Sequence, residues 1–329
     1  MFELLKKVLK PYGPSGNETE VAEVIQRELT GHVDSMTVDA MGNLIVVKKG
    51  TNPNGKKVML SAHMDHIGFI VTGFEKQGVL RVTSVGGVSA DSNQYRHVVF
   101  GNGMEGVVVS QPLKPGESRA MKHLFIDIGA EDEADARSKV QLGDVAVYAP
   151  NVVRLGEYRV ASPAMDDRSA CAVLLATLLE LGACKDTVIG VFSVQEEVGC
   201  RGAKVASFAM EPDVGIALDV TAWGDTPEVT QPAVSLGKGV AVKVMDSASI
   251  SNPPLRDHLM TLAEKHNIPY QREVLAFGGT DAGAMQTSRG GIPVCTLSIP
   301  CRYVHSALET VDLRDMESAV KLLKAYFEE

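Results

Sequence analysis

Val188-Ile189-Gly190-Val191-Phe192-Ser193-Val194-Gln195-Glu196-Glu197 is an apolar, β-branched run that ends abruptly in two adjacent carboxylates. A run of this length and composition predicts a strand buried on both faces, as in a sheet covered by helices. Carboxylates at the end of such a strand are costly to bury unless cations meet them. The pattern recurs twice: Val58-Met59-Leu60-Ser61-Ala62 leads into His63, and Val214-Gly215-Ile216-Ala217-Leu218 leads into Asp219. In an open α/β sheet, ligands gather outside the carboxyl ends of the strands. Three distant segments are therefore expected to deliver His63, Glu197 and Asp219 to one place.

Two more residues join them. Met165-Asp166-Asp167-Arg168 precedes a strong helical pattern from Arg168 to Leu181. One aspartate serves as its N-cap, which frees the other, and a carboxylate bridging two cations fits Asp166. His305 follows a predicted strand, 293–299, by the short loop 300–304. A strand-end histidine or aspartate alone says little; the weight lies in the conjunction. Two imidazoles and three carboxylates (His63, Asp166, Glu197, Asp219 and His305) suit Zn²⁺, Co²⁺ or Mn²⁺ and read as a two-metal hydrolase site. One member of the Glu196-Glu197 pair binds metal while the other acts as general base on a metal-bound water. Asp65 stands two residues from His63, where it can orient the imidazole. His66 is open to two readings: it points into the site, or, in an extended segment, it faces opposite to Asp65.

Around these signals the texture of the chain changes. An amphipathic helix over 1–10 is stopped by Pro11-Tyr12-Gly13-Pro14. A second helix, 18–29, opens with Ser15 and Glu18 at capping-box spacing. Strands at 36–39 and 44–47 form a hairpin. From about Gly68 to Tyr158, short β-branched runs alternate with glycine turns, which suggests a small barrel or sandwich. After about Val160 strands and helices alternate again, to a closing helix at 313–327. The fold class expected is α/β: a mixed-sheet catalytic domain (1–68 and 160–329) interrupted by a β-rich, barrel-like domain (69–159).

The 329 residues are 45% hydrophobic with net charge −9, and the pI is near 5.5. With no basic stripe the chain is not a non-specific nucleic-acid binder. No apolar run approaches the roughly 20 residues of a membrane span. Five cysteines without a CxxC pair and no export signal predict free thiols in a soluble cytoplasmic protein.

In these motifs the sequence resembles the M42 metallo-aminopeptidases, the family of glutamyl aminopeptidases and tetrahedral TET peptidases. The resemblance runs in order through Gly13-Pro14-Ser15-Gly16-Asn17-Glu18, Gly42-Asn43-Leu44, Ala62-His63-Met64-Asp65, Met165-Asp166-Asp167-Arg168, Gln195-Glu196-Glu197-Val198-Gly199, Leu218-Asp219-Val220-Thr221, Gly278-Gly279-Thr280-Asp281-Ala282 and Tyr303-Val304-His305-Ser306. It implies two divalent metal ions per subunit, zinc first and cobalt or manganese as alternatives. Asp166 would bridge them, His63 and Asp219 would complete one site, and Glu197 and His305 the other. Glu196 would be the general base on a metal-bridging water, and Asp65 would steady His63. Many relatives carry glutamate where this chain has His66, so no role follows for it. The domain-length gap between His63 and Asp166 separates this family from related di-zinc peptidases, in which the two lie closer.

The resemblance further implies short peptides with a free N-terminus as substrates. It implies a homo-oligomer too: dimers made through the insert and assembled into a tetrahedral dodecamer. Competing readings are a metal-dependent deacylase or carboxypeptidase, a glucanase, and a non-catalytic assembly protein. An acidic-residue preference would need a cation in the pocket. Arg302, Lys238 and Lys243 are candidates, though surface roles suit them as well. Gly278, Gly279, Thr280 and Asp281 line a pocket or form a plain turn.

Overall fold

The computed structural model describes residues 1–329. Helices α1 (Phe2–Leu9) and α2 (Thr19–Leu29) open the chain, followed by the hairpin β1 (Ser35–Val38) and β2 (Leu44–Lys48), then β3 (Lys57–His63). The capping box does not form: Ser15 donates to Asp65, and Glu18 accepts from the amides of Gly16 and Gln195. A long-range partner outcompetes the local cap.

Six strands then close into a barrel: β4 (Gly68–Phe74), β5 (Leu80–Val85), β6 (Arg96–Phe100), β7 (Glu105–Ser110), β8 (Leu124–Asp127) and β9 (Val145–Tyr148), with helix α3 (Glu133–Lys139) before the last. Closure leaves no free edge, and Phe69, Phe100, Ile126 and Tyr148 fill its own apolar core. Strands β10 (Val153–Leu155) and β11 (Arg159–Ser162) follow. They fall largely inside the span expected for the insert, 69–159, yet pair within the large sheet, because β11 finds an antiparallel partner far along the chain.

The rest of the chain supplies α4 (Met165–Glu180), β12 (Thr187–Ser193), α5 (Arg201–Met210), β13 (Val214–Thr221), β14 (Val240–Met245), α6 (Pro253–Lys265), β15 (Tyr270–Val274), α7 (Asp281–Gln286), β16 (Val294–Arg302), β17 (Glu309–Asp312) and α8 (Leu313–Glu328). The 11-stranded sheet runs β1-β2-β12-β3-β13-β16-β17-β11-β10, with β14 joining β16 and β15 at its side. Its centre, β12-β3-β13-β16, is parallel. The architecture is the α/β mixed sheet with a barrel-like insertion expected from the sequence. Helix α4 packs on β3 and β13 beneath α1 and α8, and every residue from Met165 to Leu178 is buried. A helix enclosed on all sides is apolar all round, not amphipathic.

Candidate active site

The parallel register brings the site together. His63 at the end of β3 lies level with Ser193 on β12, and Ser61 lies level with Ala217 on β13. Asp219, two residues beyond Ala217, therefore stands beside His63, and Glu196-Glu197 follow just past the end of β12. Asp219 lies within β13, not after it, and β16 runs on through Arg302. Only a short turn then remains before His305.

The distances define two clusters sharing one residue. His63 Nε2 is 3.1 Å from Asp166 Oδ1 and 3.9 Å from Asp219 Oδ1. His305 Nε2 is 3.3 Å from Asp166 Oδ2 and 3.2 Å from Glu197 Oε2. Each oxygen of Asp166 thus faces a different imidazole. Glu196 Oε2 lies 3.9 Å from His63 Nε2, and Glu196 Oε1 accepts from the Cys200 thiol at 3.0 Å. Both rings turn Nδ1 toward a backbone carbonyl, His63 to Asp65 at 3.0 Å and His305 to Gly87 at 3.1 Å. A proton held at Nδ1 leaves each Nε2 lone pair facing the cluster.

Asp65 is a hub. Its carboxylate accepts from Ser15 Oγ at 2.7 Å, the Glu196 amide at 2.9 Å and the Glu197 amide at 3.2 Å, and lies 3.5 Å from His63 Nδ1. It therefore holds the carboxylate pair more directly than it holds the imidazole. Buried Glu309 does the same elsewhere, accepting from the amides of Asp166 at 2.9 Å and His305 at 2.6 Å.

Five of the ten non-glycine residues at positive φ adjoin or form the site: Ala164, Gln195, Cys200, Tyr303 and His305. Each costs about 1–3 kcal/mol, held by the surrounding structure. Asp166 and Asp167 have non-helical dihedrals at the start of α4, and neither side chain caps it as expected: Asp166 faces the two imidazoles and Asp167 accepts from the His63 amide.

The electrostatics follow from crowding buried acids around two imidazoles. Burial and neighbouring carboxylates push Asp167 and Asp219 well above their usual range; burial, with Asp281 and Glu197, carries Glu196 to about 8. Burial acts to lower His63 and His305, but their carboxylate partners hold both imidazoles high. Oε1 of Glu197 and Oδ1 of Asp167 are buried without any hydrogen-bond partner. Three ligand atoms from His63, Asp167 and Asp219, and three from Asp166, Glu197 and His305, each lie within 4.8 Å of one another. Orphaned oxygens, an excess of acids and a mixed N/O donor set fit two divalent cations.

The weaker candidates divide. Gly278 and Gly279 line the cavity in front of the cluster. Thr280 instead caps α7, and Asp281 is buried, accepting from Ser61 and Ser193 at 2.7 and 2.6 Å. Arg302 does not line the cavity: it forms a two-pronged pair with Asp225 at 2.8 and 2.7 Å. Lys238 is exposed outside the cavity. Lys243 has no surface role; it is buried between Asp246 and Glu273, at 3.4 and 3.5 Å. His66 is buried in a separate cavity beside Tyr12 and Tyr148. Burial and nearby Arg168 drop its pKa to about 3. Asp167, Cys200 and Glu309 belong to the site although no strand-end pattern announces them.

A family model described as M42 glutamyl aminopeptidase matches residues 42–322. The chain belongs to the M42 peptidase family. It is 45% identical to a putative aminopeptidase of Acetivibrio thermocellus, over 98% of this chain and 97% of that one. It is 37% identical to the lysyl aminopeptidase of Pyrococcus furiosus, over 100% and 97%. The Pyrococcus horikoshii TET1 peptidase, which can assemble into a tetrahedron or a large octahedral shell, superposes with TM-score 0.88 at 35% identity, over 100% and 99%. This M42 protein is an aminopeptidase, a peptide hydrolase, and the deacylase, glucanase and assembly-protein readings are not favoured. The family description names glutamate and the Pyrococcus furiosus relative lysine, so membership does not fix the residue removed. No helix is long and apolar enough to cross a membrane.

Proposed function

We propose that this M42 aminopeptidase removes the N-terminal residue of short peptides with a free amine, at a site built for two divalent cations, zinc first among them. Asp166 would bridge the cations, with His63 and Asp219 completing one site and Glu197 and His305 the other; Asp167, beside His63 and Asp219, also lies in reach. The observation that carries the reading is Asp166, whose two oxygens face the two imidazoles at 3.1 and 3.3 Å. When bound, the cations would polarise the scissile carbonyl and make water a nucleophile at neutral pH.

The protein's own groups do the rest. Glu196 borders the cluster, 3.9 Å from His63 Nε2, and in this reading is the general base: it takes the proton of the attacking water and returns it to the leaving amine. Asp65 fixes the Glu196 and Glu197 backbone, so base and ligand keep their relative position. The same carboxylate and its carbonyl steady His63.

We further propose a homo-oligomer, dimers through the barrel insert assembling into a tetrahedral dodecamer, supported by the TET1 relative's assemblies. Five free thiols fit a reducing compartment, and we place the protein in the cytoplasm. The test is a panel of short peptides with free or acetylated N-termini, given to chelated enzyme and again after Zn²⁺, Co²⁺ or Mn²⁺. Metal-restored release of the first residue from free-amine peptides alone is expected. Cleavage of blocked peptides, or none with any metal, would overturn the reading.

A further inference from the structure

The cavity in front of the cluster holds about 780 Å³ and is chemically uneven. One part of its lining is the cluster itself. The remainder is mostly apolar: Val220, Trp223, Val229, Leu275, Phe277 and Val304, with Gly278-Gly279 admitting close approach of the backbone. Outside the cluster the lining contains no lysine, arginine, aspartate or glutamate. The nearby charges are already committed. Arg302 is held by Asp225, and Lys243, 1% exposed, lies between Asp246 and Glu273, itself 1% exposed beneath Thr221, whose hydroxyl donates to Glu273.

The mouth is apolar as well. Phe277 is 59% exposed and Tyr303 44%, and Tyr303 packs edge-on against Trp223 with ring centroids 5.3 Å apart. Exposed apolar side chains contiguous with a cleft mark a surface that binds apolar groups. An acidic side chain entering here would lose its water and find no free cation. A basic one would meet no carboxylate on the cavity wall outside the cluster.

We propose that this cavity selects peptides whose N-terminal side chain is uncharged and apolar, of leucine, methionine or phenylalanine size, with Phe277 as a specificity-determining contact. This rests on the free-amine exopeptidase reading above. Recognition is by burial of the side chain against Leu275, Phe277 and Trp223, and each methylene removed from water in such a pocket discriminates about tenfold or more. Glutamate or lysine, the residues named for the family and for one relative, should be poor here.

The test uses metal-loaded, full-length enzyme and matched substrates that differ only in the first residue: Leu, Met, Phe, Ala, Glu and Lys. Leu, Met and Phe are expected to exceed Ala, Glu and Lys by about tenfold or more in kcat/KM. Free L-leucine should also inhibit competitively at lower concentration than L-glutamate or L-lysine. A best substrate with Glu or Lys would overturn the inference while leaving the exopeptidase reading standing; no release from any free-amine substrate would sink that reading itself. Phe277→Ala, at an exposed position that does not threaten folding, should lower the Leu-to-Ala ratio of kcat/KM by about fivefold or more, chiefly through KM for Leu. Phe277→Arg should raise the Glu-to-Leu ratio by a similar factor. Unchanged ratios in both variants would refute the assignment of Phe277.

Discussion

Asp65→Asn is the sharpest probe of how the site is held. The wild-type carboxylate accepts three hydrogen bonds, from Ser15 Oγ and from the amides of Glu196 and Glu197. An asparagine offers one oxygen and one amide nitrogen. With the oxygen toward the Glu196 amide, the nitrogen can donate to Ser15, whose hydroxyl reverses its role. It then opposes the Glu197 N–H, 3.2 Å from the present oxygen, donor against donor. One charge-assisted bond is lost and one buried donor is orphaned, about 2–3 kcal/mol together. Expressed wholly on the position of Glu197, that is roughly 30–150-fold in metal affinity. Ser15→Ala removes only the hydroxyl bond and should cost about tenfold or less. Asp65→Ala should cost most. The assay is competition with a chromophoric chelator, alongside kcat at saturating metal. An Asp65→Asn variant binding metal within about twofold of wild type would refute this account of the hub.

Glu196→Gln should retain metal binding, read by metal analysis, and lose about 10²–10⁴ in turnover; near-normal turnover would remove Glu196 as the base. Arg168→Met should lower the urea midpoint by the equivalent of roughly 3–5 kcal/mol, because the fully buried guanidinium donates to the carbonyls of Val8, Pro11, Gly13 and Met64. Hydrogen exchange in α1 should rise with it. Gly87→Ala should weaken metal binding about 10–100-fold with little change in Tm: the new Cβ would sit 2.6 Å from His305 Nδ1. Metal binding should release protons and weaken as pH falls. The carboxylates hold the His63 and His305 pKa values above normal in the metal-free protein, so their protons must leave before Nε2 can ligate. Calorimetry in two buffers of different ionisation enthalpy measures the release.

Much of this was legible in the chain because parallel strands write their chemistry at one end. His63 ends a buried strand, Glu197 lies four residues past another, and Asp219 sits two residues before the end of a third. What escaped depends on contacts between distant segments. Glu309 begins β17, a four-residue strand of mixed polarity that no periodicity reveals. Asp281 answers two serines on different strands. Lys243 occupies an apolar-alternating strand and looks surface-directed until its partners Asp246 and Glu273 are placed around it. Arg302 looks like a free pocket cation until Asp225, 77 residues away in sequence, reaches it.

The barrel is no passive appendage. Its Gly86-Gly87 turn, between β5 and β6, touches the catalytic domain where it matters: Gly86 abuts Glu197, and the Gly87 carbonyl fixes His305. Tyr12 ties the barrel's Val145 to the N-terminal segment at 2.8 Å. A designer who excised the barrel and rejoined the chain would thus take away one imidazole's tether along with the module. Conversely, a shift of the barrel against the large sheet would reach Glu197 and His305 through two adjacent glycines.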